Sequence, residues 1–421
     1  MLLHGLYNCL LTILAPLAVL YLRLHRVYRP LLGRFSPDVP RFTAPPVWVH
    51  AASVGEVNTA HPLLKAIYAQ WPDVPLLLTT STVLGMEHAE SVSETAQIAW
   101  FPFDHPFAVR RFLDRAKPRC LILIETELWP NVLQHAHRAE IPIAIVNGRI
   151  SARHFERYSR VRGFFSRLLQ NVTLACMQTP LDIERITHLG VSADASVLTG
   201  NTKFDGAKTD VEEGEKLRLR SDLGLTENSH VVVFGSTRPG DEELAATCWK
   251  SLKDEYPELH LVVAPRHPGR LQEAVATFGD EHVLLRSKLV FGEQTAGDER
   301  VLFVDTMGEL SLFYSIATVA VVGGSFSSDV QGHNPIEPAG LAVPTVFGPH
   351  MKNFMASAQI LTEAGGAIQV HNGEELLSTL HDLLSNTDVR SETGRLGRAA
   401  VLENGGAIQK TLEHLRPLIE R

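Results

Sequence analysis

The stretch Val47-Trp-Val-His-Ala-Ala-Ser53-Val-Gly55-Glu56 decides how the rest of the chain is read. An apolar run of strand length stops, small and polar residues follow, and an amphipathic segment begins at residues 59–70. That pattern is a buried parallel strand handing over to a helix. The same unit recurs at Val74-Pro-Leu-Leu-Leu-Thr79, Cys120-Leu-Ile-Leu-Ile124 and Ile143-Ala-Ile-Val146, with a second amphipathic segment at residues 107–116. A charged, strand-free stretch at residues 206–229 interrupts the alternation. It resumes with His230-Val-Val-Val-Phe234, His260-Leu-Val-Val-Ala264, Val301-Leu-Phe-Val304, Val319-Ala-Val-Val322 and Thr345-Val-Phe347. The expectation is an α/β protein of two Rossmann-like parallel-sheet domains facing an interdomain cleft, with ligands at the carboxyl ends of the strands.

Composition agrees with that reading. At ~150 residues per domain, 421 residues make two or three domains, and 45% hydrophobic with 20% charged residues is globular rather than disordered. A net charge of −8 argues against a nucleic-acid binder with a basic surface. Cys9, Cys120, Cys176 and Cys248 lie far apart without C-x-x-C spacing, which fits reduced thiols better than a zinc knuckle or a disulfide framework.

The amino-terminal segment departs from the soluble pattern. From Leu2 to Leu22 there is no charged side chain, and a helix of that length is roughly 30 Å, about one hydrocarbon thickness. Arg23, Arg26, Arg29, Arg34 and Arg41 follow against the single acid Asp38. A cleavable signal peptide carries its positive charge before the apolar run, so the segment reads as an uncleaved membrane-anchor helix. The positive-inside rule then puts its carboxyl side and the body of the chain in the cytoplasm. The alternative is an apolar helix lying on the protein or in the membrane interface. The expected plan is an anchor at 1–22, a basic, Pro-rich link at 23–46, a first domain at 47–205, a connector at 206–229 and a second domain at 230–421, whose last helix is able to pack back on the first.

If chemistry sits at strand ends, polar and glycine-rich residues belong there. Glu56 follows the first strand at a helix start, where it is either a capping carboxylate or a general base, and Gly55 reads as a tight-turn residue. Glu125 and Glu127 follow a wholly apolar strand, a costly placement for two carboxylates unless each has a task or a partner. Lys203, in Gly200-Asn-Thr-Lys-Phe-Asp205, either reaches into the cleft or makes a hinge-side salt bridge. In the second half, Gly235-Ser-Thr-Arg-Pro-Gly-Asp-Glu242 has the strand–turn–helix form that binds phosphate or carboxylate. Arg266, after Pro265, suits a phosphate oxygen pair. Asp305-Thr-Met-Gly-Glu-Leu310 is another strand-end loop, and Gly323-Gly-Ser325 with Gly332-His-Asn-Pro-Ile-Glu-Pro-Ala339 is the densest element. Its glycines admit close backbone approach, and Glu337 can accept from both hydroxyls of a ribose.

Other chemistries lack their motifs. There is no Walker A loop, no G-x-G-x-x-G after a strand, no D-x-D for a metal-clamped diphosphate, and neither H-E-x-x-H nor G-x-S-x-G. A basic stripe, Arg149, Arg153, Arg157 and Arg160, falls within about 80° on one helix. It suggests an anionic lipid or acceptor, or else a merely solvated helix.

Ala52-Ser-Val-Gly-Glu56, Glu125-Thr-Glu-Leu-Trp-Pro-Asn131, Asn147-Gly-Arg-Ile-Ser151, Gly200-Asn-Thr-Lys-Phe-Asp205, Ala264-Pro-Arg-His-Pro268, Asp305-Thr-Met-Gly-Glu-Leu310 and the two glycine-rich segments occur in this order. Together they resemble the Kdo transferases, the 3-deoxy-D-manno-octulosonic-acid transferases of Gram-negative lipopolysaccharide synthesis. The resemblance implies a GT-B fold, a CMP-Kdo donor, the lipid A precursor lipid IVA as acceptor, inversion at the anomeric carbon, and no metal or other cofactor. By matching motif it implies that Glu56 is the general base and that Glu127 and Lys203 stabilise the transition state. Pro265, Arg266, Met307, Gly308, Glu309, Asn334, Pro335, Ile336 and Glu337 match CMP-binding segments. One departure is Arg238, where the resemblance leads one to expect histidine. Rival readings are a sugar-nucleotide epimerase on the same fold and a non-catalytic, membrane-tethered nucleotide-binding module.

Overall fold

The computed structural model describes residues 2–279, 281–290 and 299–421. Two compact units divide the chain, Met1–Gly206 with Gly405–Arg421, and Ala207–Asn404.

In the first unit the strands are β1 (Val47–His50), β2 (Leu76–Thr80), β3 (Gln97–Trp100), β4 (Cys120–Ile124), β5 (Ile143–Gly148), β6 (Leu174–Met177) and β7 (Ser196–Leu198). They form one parallel sheet in the order β3-β2-β1-β4-β5-β6-β7. Side chains alternate between the faces of a strand, so Trp48, Leu77, Leu121 and Ile143 enter one hydrophobic cluster. Val47, Val49, Leu78, Ile122 and Val146 enter the other. Covering both faces requires helices on both sides, and α2 (Val54–Gln70) supplies Val57, Ala60, Leu64 and Ile67 to the second cluster. The last helix, Ala407–Ile419, adds Leu412, Leu415, Leu418 and Ile419 to that same cluster.

The second unit holds β8 (His230–Thr237), β9 (Leu259–Pro265), β10 (Val283–Leu285), β11 (Val301–Phe303), β12 (Val319–Val322), β13 (Thr345–Phe347) and β14 (Ala367–Gln369). Its sheet, also parallel, runs β10-β11-β9-β8-β12-β13-β14. The stretch at residues 206–229 contains the helix Glu213–Asp222, and Leu219 and Leu223 are buried with Val231 and Val233 of β8. It packs into this unit's core because leucines recur among its charges.

Both sheets reverse their strand order beside a first strand, between β1 and β4 and between β8 and β12. Loops leaving such neighbours diverge to opposite sides of the sheet and leave a crevice at the carboxyl ends.

Before β1, helix α1 (Leu2–Leu24) is followed by a 3-10 helix, Arg26–Phe35, within the segment read as a link. This segment is packed. Phe35 stacks on Phe103 at 4.5 Å, and a Cβ on Gly33 would lie 2.6 Å from Trp100 Cδ1. The basic stripe is not one helix either. Arg149 precedes the helix Ala152–Ser159, Arg160 ends it, and a separate helix, Arg162–Leu169, follows. Phe155, Phe164 and Phe165 pack against the core.

Candidate active site

Glu56 is placed by the handover from β1 to α2. Ser53 caps the helix, its Oγ accepting from the Glu56 N–H at 3.4 Å. The Glu56 carboxylate reaches back, accepting from Ala52 N at 2.8 Å and from Ser53 Oγ at 3.1 Å. The capping reading is therefore physically present. Burial nevertheless pushes the Glu56 carboxyl up to about 7; Glu127 and Glu125 add to the shift, and the two hydrogen bonds oppose it. A half-buried carboxylate near neutrality serves equally as a proton acceptor. Gly55 does not make a tight turn. It lies in the first turn of α2, and a Cβ there would meet nothing nearer than Ser53 Oγ at 3.9 Å.

After β4, Glu125 takes a left-handed backbone, φ 58°, with its N–H bound to Val146 O at 2.9 Å. Lys203 Nζ lies 3.7 Å from Glu125 Oε1 and pairs with that carboxylate. Glu127 is half-buried and raised by burial, with Glu125 adding and Arg34 opposing. Asn147 fixes the lysine's loop from the end of β5, its Oδ1 accepting from Thr202 N at 3.0 Å. Asp205 closes the same loop by accepting from Ala407 N at 3.2 Å and from Ile408 N, which caps the last helix.

Arg34 is a site residue that sequence reasoning missed. Its Nε donates to Phe101 O at 3.2 Å, its guanidinium lies 5.7 Å from the Trp129 ring, and its charge acts on Asp104 and Glu127. Nothing in a charged segment before the first strand signals this, because the partners come from residues far along the chain.

In the second unit the loops after β8 and β12 are tied together. Buried Asp241 accepts from Arg238 N at 2.8 Å and Gly324 N at 2.6 Å. Burial raises its carboxyl to about 6. Sequence reasoning did not single out Asp241, although the acid-rich helix start was its signal. Arg238 Nε donates to His333 Nε2 at 3.3 Å, and burial together with Arg238 and Arg266 holds that imidazole down at about 4, hence neutral. Arg266 is exposed at the end of β9, its N–H bound to Thr237 O at 3.1 Å. Its charge also reaches Glu337, which burial raises and which accepts from Asn334 Nδ2 at 3.1 Å.

The remaining predicted residues differ in availability. Pro265 is partly exposed, and Met307 and Gly308 are exposed, with Gly308 at φ 83°. Glu309 is already engaged, accepting from Arg286 Nη2 at 2.8 Å and from Thr306 Oγ1. Pro335 and Ile336 are buried, and Ile336 offers no free N–H because Asn334 Oδ1 accepts it at 3.1 Å. Among the described residues no three His, Cys, Asp or Glu side chains cluster as a metal site.

Two parallel-sheet units, each with polar loops at its switch point, have the GT-B architecture. The structure of UDP-GlcNAc 2-epimerase from Neisseria meningitidis bound to UDP-GlcNAc is similar in fold, with a TM-score of 0.61 at 12% identity, covering 88% of this chain and 99% of that one. A family profile described as 3-deoxy-D-manno-octulosonic-acid transferase (kdotransferase) matches residues 21–206. The 3-deoxy-D-manno-octulosonic acid transferase of Haemophilus influenzae is 31% identical, covering 99% of this chain and 98% of its own. That of Bordetella pertussis is 32% identical, covering 98% of each. The chain belongs to the Kdo transferase family and is a glycosyltransferase. The epimerase and non-catalytic readings are thereby set aside.

Proposed function

We propose that this enzyme transfers Kdo from CMP-Kdo to lipid IVA, inverting the anomeric carbon without a metal, at the cytoplasmic face of the inner membrane. The observation that carries the reading is the half-buried Glu56 carboxylate at the switch point of the first sheet of a Kdo transferase family member, its carboxyl pushed up by burial to about 7. An acceptor hydroxyl is a poor nucleophile until a base takes its proton in the transition state, a gain of roughly 10²- to 10⁴-fold. In the proposed step the hydroxyl oxygen bonds to the anomeric carbon as its proton passes to Glu56. The bond from that carbon to the phosphate oxygen breaks, and its electron pair leaves on CMP. Glu127 faces the positive charge that develops on the sugar ring, and Lys203 offsets the neighbouring Glu125 at 3.7 Å.

Donor binding falls to the second unit. Arg266 takes the phosphate, Glu337 and Asn334 take the ribose hydroxyls, and Pro265 with the segments 307–309 and 334–337 frames the nucleotide. Arg238 adds a second guanidinium beside Arg266, which suits a donor carrying both a phosphate and a carboxylate. The apolar helix α1 supports attachment to the membrane where a lipid acceptor resides. Incubation with CMP-Kdo and lipid IVA, followed by mass spectrometry, tests the reading. A product heavier by one or more Kdo residues supports it, and free Kdo or unchanged lipid overturns it.

A further inference from the structure

Helix α1 is apolar enough to cross a membrane, yet it carries His4, Tyr7, Asn8 and Thr12. In hydrocarbon each such group needs a partner or costs stability. All of them have partners on the first unit's body. His4 Nε2 bonds to Asn131 Oδ1 at 2.9 Å, Tyr7 Oη donates to Asp104 Oδ2 at 2.7 Å, Asn8 Oδ1 accepts from Asn131 Nδ2 at 2.7 Å, and Thr12 Oγ1 lies 3.1 Å from His105 Nε2. Among the described side chains, the half-buried positions are 4, 7, 8, 11, 15, 18, 19 and 22. Those positions make a single stripe at helical spacing along the whole element.

The opposite face is bare. Leu3, Leu6, Leu10, Ile13, Leu17 and Leu20 are between 51% and 65% exposed. The helix is roughly 35 Å long, yet both ends return to the same body. The first turns sit on Asp104 and Asn131, and the chain after Leu24 leads to Arg34, bonded to Phe101 O. A helix that crossed a bilayer would carry its first turn to the far side and break every one of these bonds. Charge marks what covers the bare face. Arg23, Arg26 and Arg29 are exposed at the carboxyl end. At the other end a cavity of about 550 Å³ is lined by Leu3, His4 and Phe164 together with Arg138 and Arg167. Apolar surface bordered by guanidinium groups fits an anionic bilayer surface, acyl chains against the leucines and headgroup phosphates against the arginines.

We infer that α1 is an in-plane anchor: bolted to the first unit by its polar stripe, it lies in one leaflet of an anionic membrane and does not cross it. The inference needs no assumption about donor or acceptor, and its tests read no activity. In the full chain with Cys9→Ser, Thr12→Cys and His105→Cys, at positions whose side chains lie 3.1 Å apart, are expected to be bridged by a short bifunctional maleimide in native membranes, in most molecules. A crossing helix cannot bring these positions together, so absence of the cross-link overturns the inference. A cysteine added ahead of Met1 is expected to react with an impermeant maleimide on the same side as a reference Glu374→Cys; reaction on the opposite side also overturns it. Purified protein is expected to float with phosphatidylglycerol vesicles at least ten-fold better than with phosphatidylcholine. Arg138→Ala with Arg167→Ala is expected to shrink that preference several-fold, and an unchanged preference refutes the headgroup site. Far-ultraviolet circular dichroism of each variant keeps misfolding separate from loss of binding.

Discussion

At Glu56 two roles that look exclusive in sequence coincide. Its oxygens accept the bonds that cap α2, and the same burial that makes those bonds useful lifts the carboxyl to about 7. Glu56→Gln keeps an acceptor for the cap but removes the base, so transfer is expected to fall by about 10²- to 10⁴-fold while CMP binding and unfolding midpoint stay close to wild type. A turnover rate within three-fold of wild type would sink the assignment. The pH profile follows with the same sign: transfer by the wild type is expected to rise with pH and level off above about 7, because the base acts deprotonated. Folding stability runs the other way. A carboxyl raised above its ordinary 4.5 favours the folded state at low pH, and that contribution is lost as pH rises through about 7. Urea titrations across that window are expected to show a shallower decline in Glu56→Gln than in wild type. The strand-end acids were legible because an apolar run followed by charge is a physical contradiction that only a site or a partner resolves. Arg34 was not legible, since its bond to Phe101 O spans 67 positions. Arg34→Ala leaves Asp104 and Glu127 without that nearby charge, and transfer is expected to drop at least ten-fold with CMP affinity unchanged, as measured by calorimetry.

Among the elements, the central strands announced themselves and the outer ones did not. The residues of β1, β4 and β5 are buried on both faces, so composition alone marks them. The strands β3 and β7 sit at sheet edges with partly exposed residues, and neither carries the long, fully buried apolar run of the central strands. β6 is fully buried but reads Leu-Ala-Cys-Met, without the β-branched residues that signal a strand. Glycines divide in the same way between apparent and actual need. At Gly323 a Cβ would lie 2.5 Å from Ser236 O and 2.8 Å from Gly235 O, forcing apart the ends of β12 and β8. Gly323→Ala is expected to cost about 1–3 kcal/mol of stability and to weaken CMP binding, by denaturant melts and calorimetry. Gly55→Ala brings its Cβ no nearer than 3.9 Å to Ser53 Oγ and is expected to stay within about 0.5 kcal/mol of wild type or to gain slightly. Equal effects of the two substitutions would show that the close approach of β8 and β12 does not matter.

Over the whole molecule, the alternation of strands and helices made the α/β class and the two sheets readable from the sequence. Which segments complete which unit was less so, since that depends on packing between residues far apart in the chain. The amphipathic last helix could have covered either sheet. Its apolar face meets the first unit's cluster, and Asp205 holds its amino end. Deleting residues 405–421 removes Leu412, Leu415, Leu418 and Ile419 from that cluster, each worth about 1.5–3 kcal/mol when fully buried. The truncated chain is expected to lose the first unit's cooperative unfolding transition in denaturant while its second unit, Ala207–Asn404, still binds CMP. Retention of both transitions would mean the helix is dispensable.

That returning helix also sets a timetable. A ribosome adds roughly 5–20 residues per second, so roughly 10–40 seconds separate the emergence of Gly206 from that of Gly405. Throughout that interval one flank of the early-made half waits uncovered for a helix translated after the whole second unit. A lesion that removes residues 405–421 therefore damages the portion translated first.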